Sequence, residues 1–526
     1  MQSRRDQVQA HRFVVARLTT GLMRSDPDAP ESPNSRTNRG MVLGGALGVL
    51  VAVGFLVFGF ISPGGSTAWQ DPKTLIVEQG TGNRYLYDGT LRPIRNYASA
   101  RLIVGPELAS RTVPRTSLAG TPHGSAVGID GAPDALPPAG GLDAGGWQVC
   151  AATRPDDSGQ PVAATSLVVD SDQPGTGLGG GQALLVSGPD GTYYLLWHGN
   201  RFRLAAGTAT ADALGYGTAD PLPVSATFLD ALPASTDLAP PAVPGQGAAG
   251  PELDGRPTRV GQVFVVDTPG SAEQYYLLQR AGLVPISTTQ AALALSGPDE
   301  REASYRGAAP VAVPIAADAL NKALVPGSSV AGNEVLPAAP PALLPVGDGQ
   351  AACVRLDDDG VPSGAAGSPN GGGGNRISLA LVSSAALTDP AAATAKAPAA
   401  PACLPVDAVV VPPDGGSLVR ALGAGGGQVG ATTYLVTDAG VKYLIPSAAA
   451  AKALGYDLGA ARELPSPLLA MLPTGPDLSP QDAVLGRSDT TGTPGCATPA
   501  GGATPARTAS RAAARTAAST AVLPKT

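Results

Sequence analysis

ALLVSGPDGTYYLL, residues Ala183–Leu196, reads as an apolar strand, a Gly/Pro/Asp turn and a second strand led by two tyrosines. Turn chemistry of this kind between β-branched and aromatic runs predicts a β-hairpin. The same pattern recurs as LIVEQGTGNRYLY (Leu75–Tyr87), QVFVVDTPGSAEQYYLL (Gln262–Leu278) and TYLVTDAGVKYLI (Thr433–Ile445). Ser/Thr/Ala-rich stretches of helical character follow the hairpins, for example YASARLIV (Tyr97–Val104) and STTQAALAL (Ser287–Leu295). Leu91-Arg92-Pro93-Ile94 and Leu283-Val284-Pro285-Ile286 hold the same place in their units. The second and fourth copies share a single offset of 240 residues: Leu214-Gly215-Tyr216 with Leu454-Gly455-Tyr456, Leu232-Pro233 with Leu472-Pro473, and Asp237-Leu238 with Asp477-Leu478. One offset held across three matches indicates a true repeat.

A unit of one hairpin and one helix buries little apolar surface alone, so the units are expected to pack on one another or on a shared centre. The intervening stretches contain strand-like runs such as RISLALVSS (Arg376–Ser384) and are assigned to a central β-rich module. The expected class is α+β, with repeat 1 at 62–119, the central module at 120–182 and 310–430, repeat 2 at 183–245, repeat 3 at 258–309 and repeat 4 at 431–485. Residues 364–375 read as a Gly/Ser-rich loop, and 486–526 as a disordered segment.

Upstream lies GMVLGGALGVLVAVGFLVFGFI, Gly40–Ile61, a run of 22 residues without a charge. That length crosses a hydrocarbon core of about 30 Å as a helix. Residues 1–39 carry seven arginines against four acids, and Asp71, Lys73 and Glu78 follow the span with no basic excess. The positive-inside bias therefore predicts a cytoplasmic leader (1–39), a single anchor (40–61) and an extracytoplasmic bulk. A cleaved signal peptide competes, with Ser66-Thr67-Ala68 as its site; the long leader and long apolar run argue against it. Val8–Leu18 reads as a helix able to dock on a cytoplasmic partner through Phe13, Val14 and Leu18, against the simpler view of an unstructured basic leader. Gly44, Gly48 and Ala52 form a small-residue face suited to close helix contact in the bilayer.

Beyond residue 39 there are 28 basic and 38 acidic residues, a net charge of −10 with no basic stripe, which argues against nucleic acid as a ligand. Six lysines against 29 arginines suggest a GC-rich genome rather than any chemistry. The four cysteines, Cys150, Cys353, Cys403 and Cys496, include no CxxC pair, and with three histidines they make no metal site of ordinary spacing. In an oxidising exterior they favour disulfides. Cys150 with Cys353 is the preferred pairing, which would then staple the two halves of the central module, and Cys403 with Cys496 is the second candidate; spacing alone leaves the connectivity open.

The chain resembles the EccB family, a membrane component of the actinobacterial type VII (ESX) secretion system. The residues that carry the resemblance are Arg5-Asp6-Gln7-Val8-Gln9-Ala10-His11-Arg12-Phe13, Asp26-Pro27-Asp28-Ala29-Pro30, Thr67-Ala68-Trp69, Thr81-Gly82-Asn83-Arg84-Tyr85, Asn96-Tyr97-Ala98-Ser99-Ala100-Arg101-Leu102 and Val127-Gly128-Ile129-Asp130-Gly131-Ala132-Pro133-Asp134. Asp130 stands where the family usually has proline. The resemblance extends to about residue 485. It implies an anchored scaffold subunit that self-associates and assembles with EccC, EccD and EccE type subunits and a mycosin-type protease. It also implies a central domain flanked by four repeats.

Enzymatic readings find little support in the residues. Some relatives are described as ATPases, yet no G-x-x-x-x-G-K-[ST] occurs, and the glycine cluster Gly423–Gly430 lacks the phosphate-neutralising lysine. G-x-S-x-G and H-E-x-x-H are also missing. Asp357-Asp358-Asp359-Gly360 lacks EF-hand spacing, and His123 in Thr121-Pro122-His123-Gly124 reads as a surface turn. No catalytic residue, cofactor or metal is expected. The leading expectation is a structural secretion subunit. Its alternatives are a tethered cell-wall-binding protein that stacks glycan on Trp197, Tyr193 and Tyr275, or an extracytoplasmic ATP hydrolase.

Overall fold

A computed structural model describes residues 3–491 except 25–32, 62–66, 144, 157, 171–174, 269, 298, 329–335, 358–375, 388–399 and 423–427. It has two compact units, Met1–Leu91 with Ala109–His123, and Arg92–Leu108 with Gly124–Thr526. The first contains helices α1 (Arg4–Arg24) and α2 (Pro33–Ile61), strands β1 (Thr74–Glu78), β2 (Arg84–Tyr87) and β4 (Ala109–Val113), and the short α4 (Arg115–Leu118). Its core is Trp69, Ile76, Leu91, Val113 and Leu118, with Trp69 edge-on to Tyr87 at 5.4 Å. Strand β3 (Leu91–Pro93) begins at the boundary, and α3 (Tyr97–Val104) belongs to the second unit.

The second unit continues with central strands β5 (Trp147–Pro155), β6 (Pro161–Val168) and β7 (Gly175–Gly177). Repeat 2 follows as β8 (Gln182–Ser187), β9 (Tyr193–Trp197), β10 (Asn200–Arg203), α5 (Thr208–Ala213), β11 (Leu222–Pro223) and α6 (Ala226–Asp230). Repeat 3 is β12 (Val263–Val266), β13 (Gln274–Gln279), β14 (Gly282–Ile286), α7 (Thr288–Leu295), α8 (Glu300–Ala303), β15 (Val313–Pro314) and α9 (Ala317–Ala323). Then come β16 (Ala342–Leu343), β17 (Gln350–Asp357), β18 (Arg376–Ser383) and β19 (Ala408–Val410). Repeat 4 is β20 (Gly416–Leu422), β21 (Gln428–Thr437), β22 (Lys442–Ile445), α10 (Ala448–Leu454), β23 (Arg462–Pro465) and α11 (Ser466–Ala470), and α12 (Pro480–Leu485) follows.

One topology serves all four small sheets, whose orders are β3-β2-β1-β4, β10-β9-β8-β11, β14-β13-β12-β15 and β22-β21-β20-β23. The first three strands form an antiparallel meander, and the fourth returns parallel to the first. A parallel return needs a crossover, and here the crossover includes a helix. Polar N-caps set where those helices begin: Asn96, Ser287 (with Gln290 completing a capping box) and Ser447 each accept a backbone N–H of the first turn. After a further helix the chain bridges parallel to the third strand, at Leu91–His123, Leu204–Leu238, Leu283–Leu324 and Lys442–Thr474.

Two units extend past the limits expected from sequence. The fourth sheet's first strand is Gly416–Leu422, ahead of residue 431, and Thr433–Ile445 supplies its second and third strands. The fourth strand of repeat 3, Val313–Pro314, lies beyond 309. The departures have separate causes: the strongest local turn signal in repeat 4 sits between its second and third strands, and the two-residue parallel strand of repeat 3 has no periodicity to read.

The six-stranded central sheet has the order β19-β6-β5-β17-β18-β7. Exchanging β5 with β17, β6 with β18 and β7 with β19 reverses this order onto itself, so the sheet has an internal dyad. The edges depart from it in direction, β19 running parallel to β6 and β7 antiparallel to β18. Cys150 and Cys353 face each other in register at the middle of the β5/β17 pair. The dyad carries outward: α3 packs on α10, and α7 on α5. Tyr216 donates its hydroxyl to Pro341 O and Tyr456 to Pro137 O, each at 2.8 Å. The glycine before each tyrosine has φ of +84° or +94°, a left-handed turn that ends the helix and aims the ring inward. Repeats 2 and 4 share a continuous core with the central sheet, through Val186, Phe228, Trp147, Leu356, Val419 and Leu469.

Candidate membrane and assembly surfaces

Within α2, Thr37–Phe58 is long and apolar enough to cross a membrane. Gly44, Gly48 and Ala52 recur every four residues along it, and a Cβ at either glycine would meet nothing within 4 Å among the described residues. A strip of small residues of this kind lets a second helix approach closely.

Helix α1 places Phe13, Val14 and Leu18 in the open, at 65%, 52% and 60% exposure. With Arg17, Gly21 and Leu22 they line a cavity of about 480 Å³. The spacings of three and four residues put these side chains on neighbouring rows of the helix surface. Phe13, Val14 and Leu18 thus form one exposed apolar face of α1.

Cys150 and Cys353 are disulfide-bonded, with Cα atoms 4.0 Å apart. The bridge joins residues 203 positions apart and sits on the sheet's dyad. Cys403 is also disulfide-bonded, and Cys496 lies outside the described residues.

The aromatic residues are only partly open. Trp197 donates Nε1 to Gly180 O at 2.8 Å, and His198 stacks on its indole at 3.9 Å, covering one ring face. Tyr275 donates its hydroxyl to Glu273, and Tyr193 is half-buried against the core of repeat 2. Tyr193 and Trp197 lie on β9 of repeat 2 and Tyr275 on β13 of repeat 3. His123 pairs with Leu91 and meets Tyr85 edge-on at 5.7 Å. Asp357 ends β17, while Asp358, Asp359 and Gly423–Gly427 lie outside the described residues. Among the described residues no group of three or more His, Cys, Asp or Glu could hold a metal ion.

The least legible feature is a buried polar junction. Asp143 and Asp170, both at φ of +54°, tie the linker before β5 to the start of β20. Asp143 accepts from Ser417 Oγ and from Leu418 N, the latter at 3.1 Å. Asp170 accepts from Gly145 N at 2.8 Å and Gly416 N at 2.9 Å. Trp147 Nε1 donates to Ser417 Oγ at 3.2 Å, and Arg462 Nη1 to Gly145 O at 3.1 Å. Burial raises the Asp143 carboxyl above its usual range, opposed by those hydrogen bonds and by Arg462. Nearby, Lys442 is fully buried and donates Nζ to Leu469 O at 2.6 Å and Leu472 O at 2.5 Å. Burial pushes its pKa down to about 7. No sequence motif marks these residues; only positive φ at aspartate gives a clue, and that is a property of the folded chain.

The family model described as "Type VII secretion system ESX-1, transport TM domain B" matches residues 1–491. The ESX-3 secretion system ATPase EccB3 of Mycolicibacterium smegmatis is 32% identical over 297 residues, covering 55% of this chain and 56% of that protein. The chain thus spans little more than half the length of that relative. The ESX-2 secretion system ATPase EccB2 of Mycobacterium tuberculosis is 30% identical over 499 residues, covering 92% of this chain and 95% of the relative. Among solved structures, the EccB3 dimer from the ESX-3 core complex matches with a TM-score of 0.57 and 26% identity, over 78% of this chain and 99% of that one. An apolar helix, a repeat-bearing mixed α/β region and a family match running from residue 1 to 491 agree, and the chain belongs to the EccB family of type VII secretion proteins.

Proposed function

We propose that this chain is a structural membrane subunit of a type VII secretion assembly. The observation that carries the reading is the union of one apolar helix with a four-repeat region built about a dyad, in a chain matched by the EccB model over residues 1–491. Its mechanism is geometric. The helix anchors the chain, α1 engages a cytoplasmic neighbour through Phe13, Val14 and Leu18, and the repeats offer packing surfaces outside. The arginine-rich leader supports a cytoplasmic N-terminus. Its partners in this reading are other copies of itself, EccC, EccD and EccE type subunits, and a mycosin-type protease. The Cys150–Cys353 bridge holds the central sheet closed, and a Cys403–Cys496 bridge accompanies it.

Relatives bear ATPase names, but the sequence lacks the lysine-bearing loop that nucleotide hydrolysis by that route uses. Extraction of the tagged full chain in mild detergent tests the proposal. Co-migration with the EccC and EccD type subunits is the expected result, and a chain that migrates alone overturns it. Protease added to intact spheroplasts should digest the region after residue 61; its protection would reverse the orientation.

A further inference from the structure

The internal dyad lets one helix pair serve as a control for the other. It relates α3 on α10 to α7 on α5. Aligned on the N-caps Asn96 and Ser287, the first two match in burial: Ala98 with Thr289, Ala100 with Ala291, Leu102 with Leu293. Thr210, Ala211 and Leu214 of repeat 2 likewise match the buried Ala450, Ala451 and Leu454 of repeat 4. Two matched positions differ sharply in chemistry. Helix α3 carries Arg101, whose Nη2 donates to Leu454 O at 2.9 Å, and α7 has Ala292 in its place. Helix α10 carries Lys452, and α5 has Asp212.

The result is a cleft of about 610 Å³ between α5 and α7, walled by Ala209, Ala213, Ala291 and Ala292, with Asp212 and Tyr275 among its lining. The Tyr275 hydroxyl bonds Glu273, which adds a second carboxylate nearby. Where the first pair supplies its own cation, the second presents apolar walls and acid. An arginine stem covers apolar surface while its guanidinium reaches a carbonyl or carboxylate.

We propose that this cleft receives an arginine side chain from a partner protein, seated as Arg101 is seated: stem along the alanines, guanidinium at the Leu214 carbonyl with Asp212 beside it. The partner segment presents that arginine projecting from its surface, because the stem must run along the alanines before the guanidinium reaches the carbonyl. None of its lining residues belongs to α1 or α2.

The test uses the full chain in lipid nanodiscs, with N-acetyl-argininamide as probe and its neutral isostere N-acetyl-citrullinamide as control. Alanine-methyl NMR should show saturable shifts at Ala209, Ala213 and Ala292 with the arginine amide alone. Asp212→Asn should weaken binding about threefold, as for a partly exposed charge pair. Ala292→Arg should abolish the response at unchanged thermal stability; Ala292→Gln, which fills the cleft with a neutral head, gives the same loss if the arginine variant does not fold. Equal responses to both amides, or a response that survives Asp212→Asn and Ala292→Gln undiminished, overturns the proposal. Mass photometry should find the oligomer unchanged in Ala292→Arg, and its dissociation would make the occupant a second copy instead of a different partner.

Discussion

Repeats 2 and 4 hold equivalent places about the dyad and share a strand order, yet they join the central region by different chemistry. Matching the hairpin registers sets Leu184, opposite Leu196, against Ser417, opposite Val436. Leu184 is buried in carbon. Ser417 instead sits in the network of Asp143, Trp147 and its neighbours. Apolar contact is non-directional and tolerates small shifts, whereas a buried hydrogen-bond network fixes one arrangement and is costly when half-satisfied. At this matched position repeat 2 is therefore held by area alone, and repeat 4 adds a directional polar network to the apolar core that both repeats share.

The largest test of that contrast removes what both share. A Cys150→Ala/Cys353→Ala double variant opens a link between residues 203 positions apart. The chain-entropy account assigns such a long closure about 5 kcal/mol. Thermal unfolding should show a fall in midpoint, and hydrogen exchange should rise in β8 and β20 alike, because the bridge lies on the dyad. Exchange that rises in one repeat only would break the symmetry argument. Next, Leu184→Ala should cost about 2–5 kcal/mol as a core truncation, read as a midpoint shift with faster exchange confined to β8–β10. Asp143→Ala should cost about 1–3 kcal/mol, because Ser417 and Leu418 keep buried donors without their acceptor. Its exchange change belongs in β20–β21, and an equal loss in β8 would dissolve the distinction between the two junctions.

How much of this could be read in advance divides by range. Tyr97–Val104 and Thr288–Leu295 fall where their polar caps and alanine-rich faces announce helices. The hairpins of Leu75–Tyr87, Ala183–Leu196 and Gln262–Leu278 also follow from local turn chemistry. The dyad does not, because beyond the expected meeting of Cys150 and Cys353 it depends on Gly175–Gly177 and Ala408–Val410 each joining the other half's edge. Three-residue strands paired across some 200 positions leave no periodic trace. The offset of 240 shared by Leu214-Gly215-Tyr216 and Leu454-Gly455-Tyr456 and the preferred pairing of Cys150 with Cys353 were its visible signs. The Asp143 network was illegible for the same reason, since its partners come from residues 143, 147, 170, 417 and 462.

The smallest effect sharpens the comparison at a single matched position. Arg201 pairs with Leu196 in repeat 2, and Lys442 with Val436 in repeat 4, so the two cations are counterparts. Arg201 reaches Asp230 at 3.3 Å near solvent, while Lys442 is sealed against two carbonyls with no ion pair among the described residues. In the folded chain burial lowers the lysine to about 7 from its ordinary 10.5. Between those values the unfolded chain holds the extra proton, so the stability from this group rises with pH, by about 1.4 kcal/mol per unit, and is flat below about 7. Lys442→Met removes the donor to Leu469 O and Leu472 O at every pH, a constant loss, and removes the slope as well. The difference in unfolding midpoint between wild type and Lys442→Met should therefore widen as pH rises from 7 to 9. Arg201→Met should give no such divergence, because a guanidinium keeps its proton throughout. Parallel pH curves for wild type and Lys442→Met would mean that water reaches the lysine and that its seal in repeat 4 is no tighter than that of Arg201 in repeat 2.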